Sequence, residues 1–146
     1  NCLLEGGTAK CMIDILPRDG EIQLADGKVI QLNECVVDLK TSHNVSEYGI
    51  RTAIYNFEYY MKMAWYLRML QGAGETQRNK SILIFQNSKH PRDVHVRIIT
   101  DEDTERGTIL AQQRLDILCQ LNSEDILPLL DKEIKPISVQ PWIEKE

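Results

Sequence analysis

The stretch ECVVDLKTS, residues 34–42, carries two opposite charges inside an apolar run. Cys35, Val36, Val37 and Leu39 read as a buried strand, and Asp38 and Lys40 interrupt it. Strand side chains alternate between faces with a period of two, so Asp38 and Lys40 point the same way. A carboxylate and an amine on one face of a core strand need a physical reason, because a buried charge is costly unless it is paired or bound to a metal.

Outward from this strand, a second apolar run is interrupted in the same manner. KCMIDIL, residues 10–16, reads as a strand carrying Asp14, followed by the turn signal PRDG. EIQLADGKVIQL, residues 21–32, reads as a hairpin about Asp26-Gly27, a dipeptide suited to a type I′ turn. With residues 34–41 these segments make an antiparallel meander. A single helix is expected from about Ser46 to Gln71. Ser46 caps it, and Ile50, Ala53, Ile54, Phe57, Met61, Ala64 and Leu67 recur at helical spacing.

GAGETQRNK, residues 72–80, ends that helix as an exposed loop. SILIFQNS, residues 81–88, is a buried strand, HPRD turns the chain, and VHVRIIT puts Val94, Val96 and Ile98 on one face of a strand with one side solvated. Thr100 caps a helix running to about Gln120, with Asp103 placed as in a capping box. Ser123 caps a short helix bounded by Pro128, and residues 135–146 form an extended tail. Strands, helix, two strands and helix make an α/β domain with a mixed sheet. The chain opens at Asn1, close before a strand, and reads as one domain over residues 1–146 that lacks an N-terminal element.

The 146 residues are 42% hydrophobic and 27% charged, an ordinary soluble composition with room for a real core. A net charge of -5 excludes a surface that is basic all over, so a nucleic-acid partner must be argued from a site. None of the four cysteines, Cys2, Cys11, Cys35 and Cys119, lies in a Cys-x-x-Cys pair, which argues against a zinc or iron–sulfur site and for a reducing cytoplasm. No apolar run approaches the ~20 residues that cross a bilayer. His43, His90 and His95 show no ligand spacing.

If the strands holding Asp14 and Asp38 are neighbours, the two carboxylates and Lys40 meet at one end of a sheet. Two carboxylates repel, and a divalent cation between them is the natural remedy. Mg²⁺ takes hard oxygen ligands, and Lys40 beside it is placed to hold or deprotonate an attacking water. The trio suits metal-assisted phosphodiester hydrolysis. The plainer alternative is an Asp-x-Lys salt bridge on a solvated face. The apolar flanks weigh against it.

An Asp on one strand, a short meander, then VVDLKTS ahead of a long helix resembles the PD-(D/E)xK nuclease superfamily. The closer resemblance is to the phage-type recombination exonucleases, the exodeoxyribonuclease VIII and lambda exonuclease group. It covers about residues 8–70, with only element order agreeing beyond. CMIDIL is similar to their first metal-binding strand, VVDLKTS to their second motif, and NFEYYMKMAWYL to the tyrosine-rich helix that follows. Ile13 stands where the superfamily often has Pro, and Lys62 where the helix motif has Gln.

The resemblance implies a restriction-endonuclease-like mixed sheet flanked by helices. Its catalytic residues would be Asp14, Asp38 and Lys40. Mg²⁺, with Mn²⁺ as substitute, would be held by Asp14, Asp38 and the backbone carbonyl of Leu39, and Lys62 and Tyr66 would lie near the substrate. It further implies digestion of linear double-stranded DNA from an end, a homo-oligomer, a single-strand annealing protein as partner, and a cytoplasmic, membrane-free location. Alternatives are a restriction-type or helicase-linked nuclease of the same superfamily, and a DNA-binding relic without turnover, which Lys62 at the Gln position keeps open. A small-molecule-binding domain is disfavoured, because no Gly-rich phosphate loop follows a strand. Outside this set, Tyr59 shares a helix face with Tyr66, Trp65 reads as core or interface, and Met61, Met63 and Met69 read as packing. Arg51 and Arg68 read as surface arginines.

Overall fold

The computed structural model describes residues 2–4 and 7–120. The short helix expected from Ser123 and the extended tail lie outside the described residues. Two strands, β1 (Cys2–Leu4) and β2 (Gly7–Ala9), pair antiparallel. A second antiparallel pair, β3 (Glu21–Gln23) and β4 (Val29–Gln31), is the expected hairpin. Its turn differs in type. Leu24 N–H donates to the Lys28 carbonyl, Gly27 N–H donates to the Leu24 carbonyl, and of the loop residues only Gly27 has positive φ. A type I′ turn needs positive φ at both central residues. Asp26 does not supply it, so the loop lengthens to three residues, with glycine alone in the left-handed position.

The decisive strand is β5 (Cys35–Ser42), reached through a short 3₁₀ turn at Leu32–Glu34. It pairs parallel with β6 (Lys80–Asn87), and β6 pairs antiparallel with β7 (Val94–Ile98), so the sheet is mixed with order β5-β6-β7. The expected antiparallel meander is therefore not formed. The hairpin lies on a face of this sheet instead of joining its edge, because Ile22, Ile30 and Leu32 find apolar cover against Cys35, Val37 and Ile82. The expected strand at residues 10–16 is reduced to one antiparallel bridge, Ile15 to Val37, on the outer edge of β5.

Between β5 and β6 the chain crosses over the other face. Ser46 caps α1 (Glu47–Asn56), its hydroxyl oxygen accepting from Gly49 N–H at 3.1 Å. The expected single helix is broken at Phe57-Glu58, and α2 (Tyr59–Gly72) begins after it. Glu58 sits at φ +50, a left-handed conformation that costs a non-glycine residue about 1 kcal/mol. Its carboxylate accepts from Arg114 at 2.6 Å, an ion pair to the helix Asp101–Gln120 that holds it there. Val36, Leu83 and Phe85 pack under Ile50, Met63, Tyr66, Leu67 and Leu70 of the two helices, which makes the main core. Met63 and Met69 are buried, as expected of packing residues.

On β7 the valines lie on the more solvated side. Val94 and Val96 are exposed, because the hairpin covers only the end of that face near Ile98. Helix α3 (Asp101–Gln120) starts at Thr100, whose Oγ1 accepts from Asp103 N–H at 3.1 Å. It packs on α2 through Gly107. A Cβ at Gly107 would come within 2.5 Å of the Tyr60 carbonyl oxygen and 2.9 Å of its carbon. Alanine there gains about 1 kcal/mol of helix propensity. It also collides with backbone that cannot swing aside, and overpacking typically costs about 1–3 kcal/mol. Gly107→Ala is expected to lower stability by about 2 kcal/mol on that basis, seen as a lower urea midpoint at unchanged slope.

Candidate active site

Asp38 is the buried charge that the sequence points to. Its relative exposure is 0%. Its neighbours along the sheet face are Val36 and, across the parallel pairing, Leu83, and the helices lie over that face. Two amines make the carboxylate tolerable there. Lys40 Nζ donates to Asp38 Oδ2, and Lys62 Nζ donates to Asp38 Oδ1 at 2.8 Å. Lys40 reaches it from two residues along the same strand face, and Lys62 comes down from the first turns of α2.

The cluster has one carboxylate and two ammonium groups, an excess of one positive charge. Each amine is backed by an aromatic ring. Lys40 Nζ lies 4.8 Å from the Tyr59 centroid, and Lys62 Nζ lies 5.1 Å from that of Tyr66. Cation–π attraction at such distances contributes about 0.5–1 kcal/mol at exposed sites and more when desolvated.

Burial works to raise the Asp38 pKa, but the hydrogen bonds and charges of Lys40 and Lys62 outweigh it and hold the carboxyl below its ordinary value. Burial likewise opposes the charge on Lys62. The hydrogen bond to Asp38, aided by Tyr66, wins and holds the amine well above its usual range. Burial, with the nearby Asp38 charge, raises the Tyr59 phenol. Asp38 and Lys62 therefore stay ionised across neutral pH.

Asp14 stands apart from this ion triad. It is exposed on the outer edge of β5, and its Oδ2 accepts from Leu39 N–H at 3.2 Å. The Ile15–Val37 bridge, with both of its N–H···O bonds at 3.1–3.2 Å, lays the Asp14 segment antiparallel to β5 beside Asp38 and Leu39. Backbone N–H and C=O of one strand residue share a side. The Leu39 carbonyl therefore faces the same open edge as Asp14. The structure thus joins Asp38, Lys40, Lys62 and Tyr66 directly, and brings Asp14 to the adjoining edge without a direct bond to the triad.

These oxygens suit a hard divalent cation. Carboxylates and a carbonyl are the ligands Mg²⁺ takes, and it commonly uses only one or two carboxylates while keeping several waters. Both Asp38 oxygens already accept from lysines. Each has a second lone pair, so acceptor capacity remains. Among the described residues there is no group of three or more His, Cys, Asp or Glu placed to hold a metal.

No protein-family model matches this sequence, and no curated protein matches it. The site therefore has to be read from its own geometry.

Arg78 is a residue that sequence reasoning missed. It falls in the loop expected to be exposed, yet its relative exposure is 4%. Its guanidinium donates to the Cys35 carbonyl at 2.6 Å and the Pro17 carbonyl at 2.9 Å, with Glu75 at 3.3 Å. It therefore clips the segment after Asp14 to the start of β5. The only signal was an arginine two residues before a buried strand. Arg68 is also tied down, donating to Gln112 at 2.6 Å beside the Trp65 ring. No helix among the described residues is long and apolar enough to cross a membrane.

Proposed function

We propose that this protein is a Mg²⁺-dependent deoxyribonuclease that hydrolyses phosphodiester bonds of linear double-stranded DNA, in the manner of a recombination exonuclease of the PD-(D/E)xK superfamily with its restriction-endonuclease-like sheet. The observation that carries it is Asp38, fully buried on β5 yet gripped by two ammonium groups, one strand position from the edge that Asp14 occupies. A purely structural ion cluster gains little from this arrangement, since apolar residues of similar volume often do as well. A phosphodiester substrate gives the excess positive charge a use.

In this reading Asp14, Asp38 and the Leu39 carbonyl would hold a divalent ion, which when bound would supply an acidified water and positive charge for the scissile phosphate. Lys40 hydrogen-bonds and orients the attacking water, while Tyr59 behind it limits where the amine can turn. Lys62 meets a phosphate oxygen as a point charge, with Tyr66 behind it. Duplex DNA is the partner, and a homo-oligomer and a single-strand annealing protein are further proposed partners.

The test is degradation of linear duplex DNA with Mg²⁺ or Mn²⁺, abolished by a chelator. Lys62→Gln discriminates within it. An amide removes one phosphate-neutralising charge, so the dependence of log affinity on log salt should flatten by about 0.9. The single-turnover rate should hold or rise. Unchanged slope and rate would remove Lys62 from the substrate path. Salt-sensitive binding without any cleavage would favour a second reading, a DNA-binding relic in which the lysines have taken over Asp38.

A further inference from the structure

Two exposed aromatic rings line one groove on α1. Tyr48 is 78% exposed, Tyr55 71% and Phe57 68%, and among the described residues these are the only exposed aromatics. Scattered exposed apolar side chains are normal, and Phe57 is one of these, but Tyr48 and Tyr55 stand on one side of α1. Tyr48 and Tyr55 are seven residues apart on α1, so they share a face about 10 Å apart along the helix. Arg51 and Thr52 lie between them, and these four with Glu47 and Asn56 line a groove of about 680 Å³.

Arg51 makes no hydrogen bond or ion pair with any described residue. The acid in the groove, Glu47, is neutralised by Arg97 at 2.8 Å. Just past this groove in the chain, Phe57 marks the way to the ion triad. The Phe57 ring stacks on Tyr59 with centroids 5.6 Å apart at 25°, and Tyr59 carries Lys40, which holds Asp38.

We infer that the Tyr48–Arg51–Tyr55 face of α1 binds single-stranded DNA, stacking bases on its two rings and a phosphate on Arg51. Ring faces alternating with a cation that pairs with no described residue match a strand whose bases and phosphates alternate, and base stacking on aromatics needs no particular sequence. The strand's destination, the Asp38–Lys40 site, rests on the function proposed above. The binding itself does not.

The experiment is fluorescence anisotropy of a labelled oligodeoxythymidylate titrated with the full chain, without divalent metal so that nothing is cleaved. All the substituted side chains are exposed, and circular dichroism checks that each variant is folded. Tyr48→Ala and Tyr55→Ala should each weaken binding about tenfold. Tyr55→Phe keeps the ring and should stay within about twofold on the same ground. Arg51→Ala should flatten the salt dependence by about 0.7.

Unchanged affinity in both alanine variants overturns the inference. So does loss of self-association in those variants, measured by sedimentation, at unchanged oligonucleotide affinity, since the face would then dock a second copy. Ring-dependent oligonucleotide binding by a protein that fails to cleave duplex DNA with Mg²⁺ supports the strand site while removing the catalytic reading.

Discussion

Asp38→Asn is expected to reduce single-turnover cleavage of linear duplex DNA by at least about a thousandfold, which corresponds to roughly 4 kcal/mol of transition-state stabilisation. The amide keeps the shape of the side chain but not its charge. It cannot serve as an anionic ligand, and it removes the counter-charge that fixes both Lys40 and Lys62. Lys40→Ala should be similarly severe, because the amine that orients the water is gone.

The two variants should part company in binding. Asp38→Asn leaves two ammonium groups without their carboxylate and should bind DNA as tightly as the parent or tighter. Lys40→Ala removes a cation and should bind more weakly. Full cleavage activity in either variant would refute the assigned roles. Equal loss of affinity in both would mean that the triad acts only through folding.

Arg78→Ala should destabilise the protein by about 3 kcal/mol. A hydrogen bond from a charged donor contributes about 1.5–3 kcal/mol, and carbonyls left buried without partners add their own desolvation cost. The Cys35 carbonyl is the buried one, and that of half-buried Pro17 loses its charged donor as well. Arg78→Lys should recover little, because one ammonium cannot span the two directions that a planar guanidinium serves. The activity should suffer beyond the stability loss. Pro17 is three residues from Asp14, and without the clip the segment is tied to β5 mainly by the Ile15–Val37 bridge. Urea midpoints for the three proteins, with cleavage rates measured where each is fully folded, separate the two effects. An unshifted midpoint in Arg78→Ala would show that the guanidinium bonds do not hold this edge.

Much of this architecture is legible in the residues because local signals act locally. Ser46 and Thr100 cap their helices through their own hydroxyls, and the apolar runs at 35–42 and 80–87 become the central parallel pair. The break at Phe57-Glu58 is not legible. No glycine or proline marks it, the apolar periodicity runs straight through it, and its holding partner, Arg114, is 56 positions away. The strand over 10–16 is not realised, because its alternation describes a segment lying along an edge as well as one in a ladder. Asp38 announces itself as a charge in an apolar strand. Its second amine, Lys62, is 24 residues distant, and only the resemblance to a helix motif pointed there. Arg78 is hidden because a charged residue in a Gly- and polar-rich loop looks solvated until its carbonyl partners are in place.

Parallel pairing of β5 with β6 joins residues 45 positions apart at every step of the ladder. Closing a loop of that length carries an entropic cost of about 3 kcal/mol before the first pair forms. The helices between the strands can form beforehand, but Leu83, which walls in Asp38, arrives only when the ladder closes. Until then the carboxylate and its two amines are hydrated and cost the chain nothing. Stripping that water is therefore expected to accompany loop closure, which would make the charge cluster a brake on the folding rate. Replacing the triad by apolar residues would release that brake, giving a chain that folds faster and has lost its chemistry.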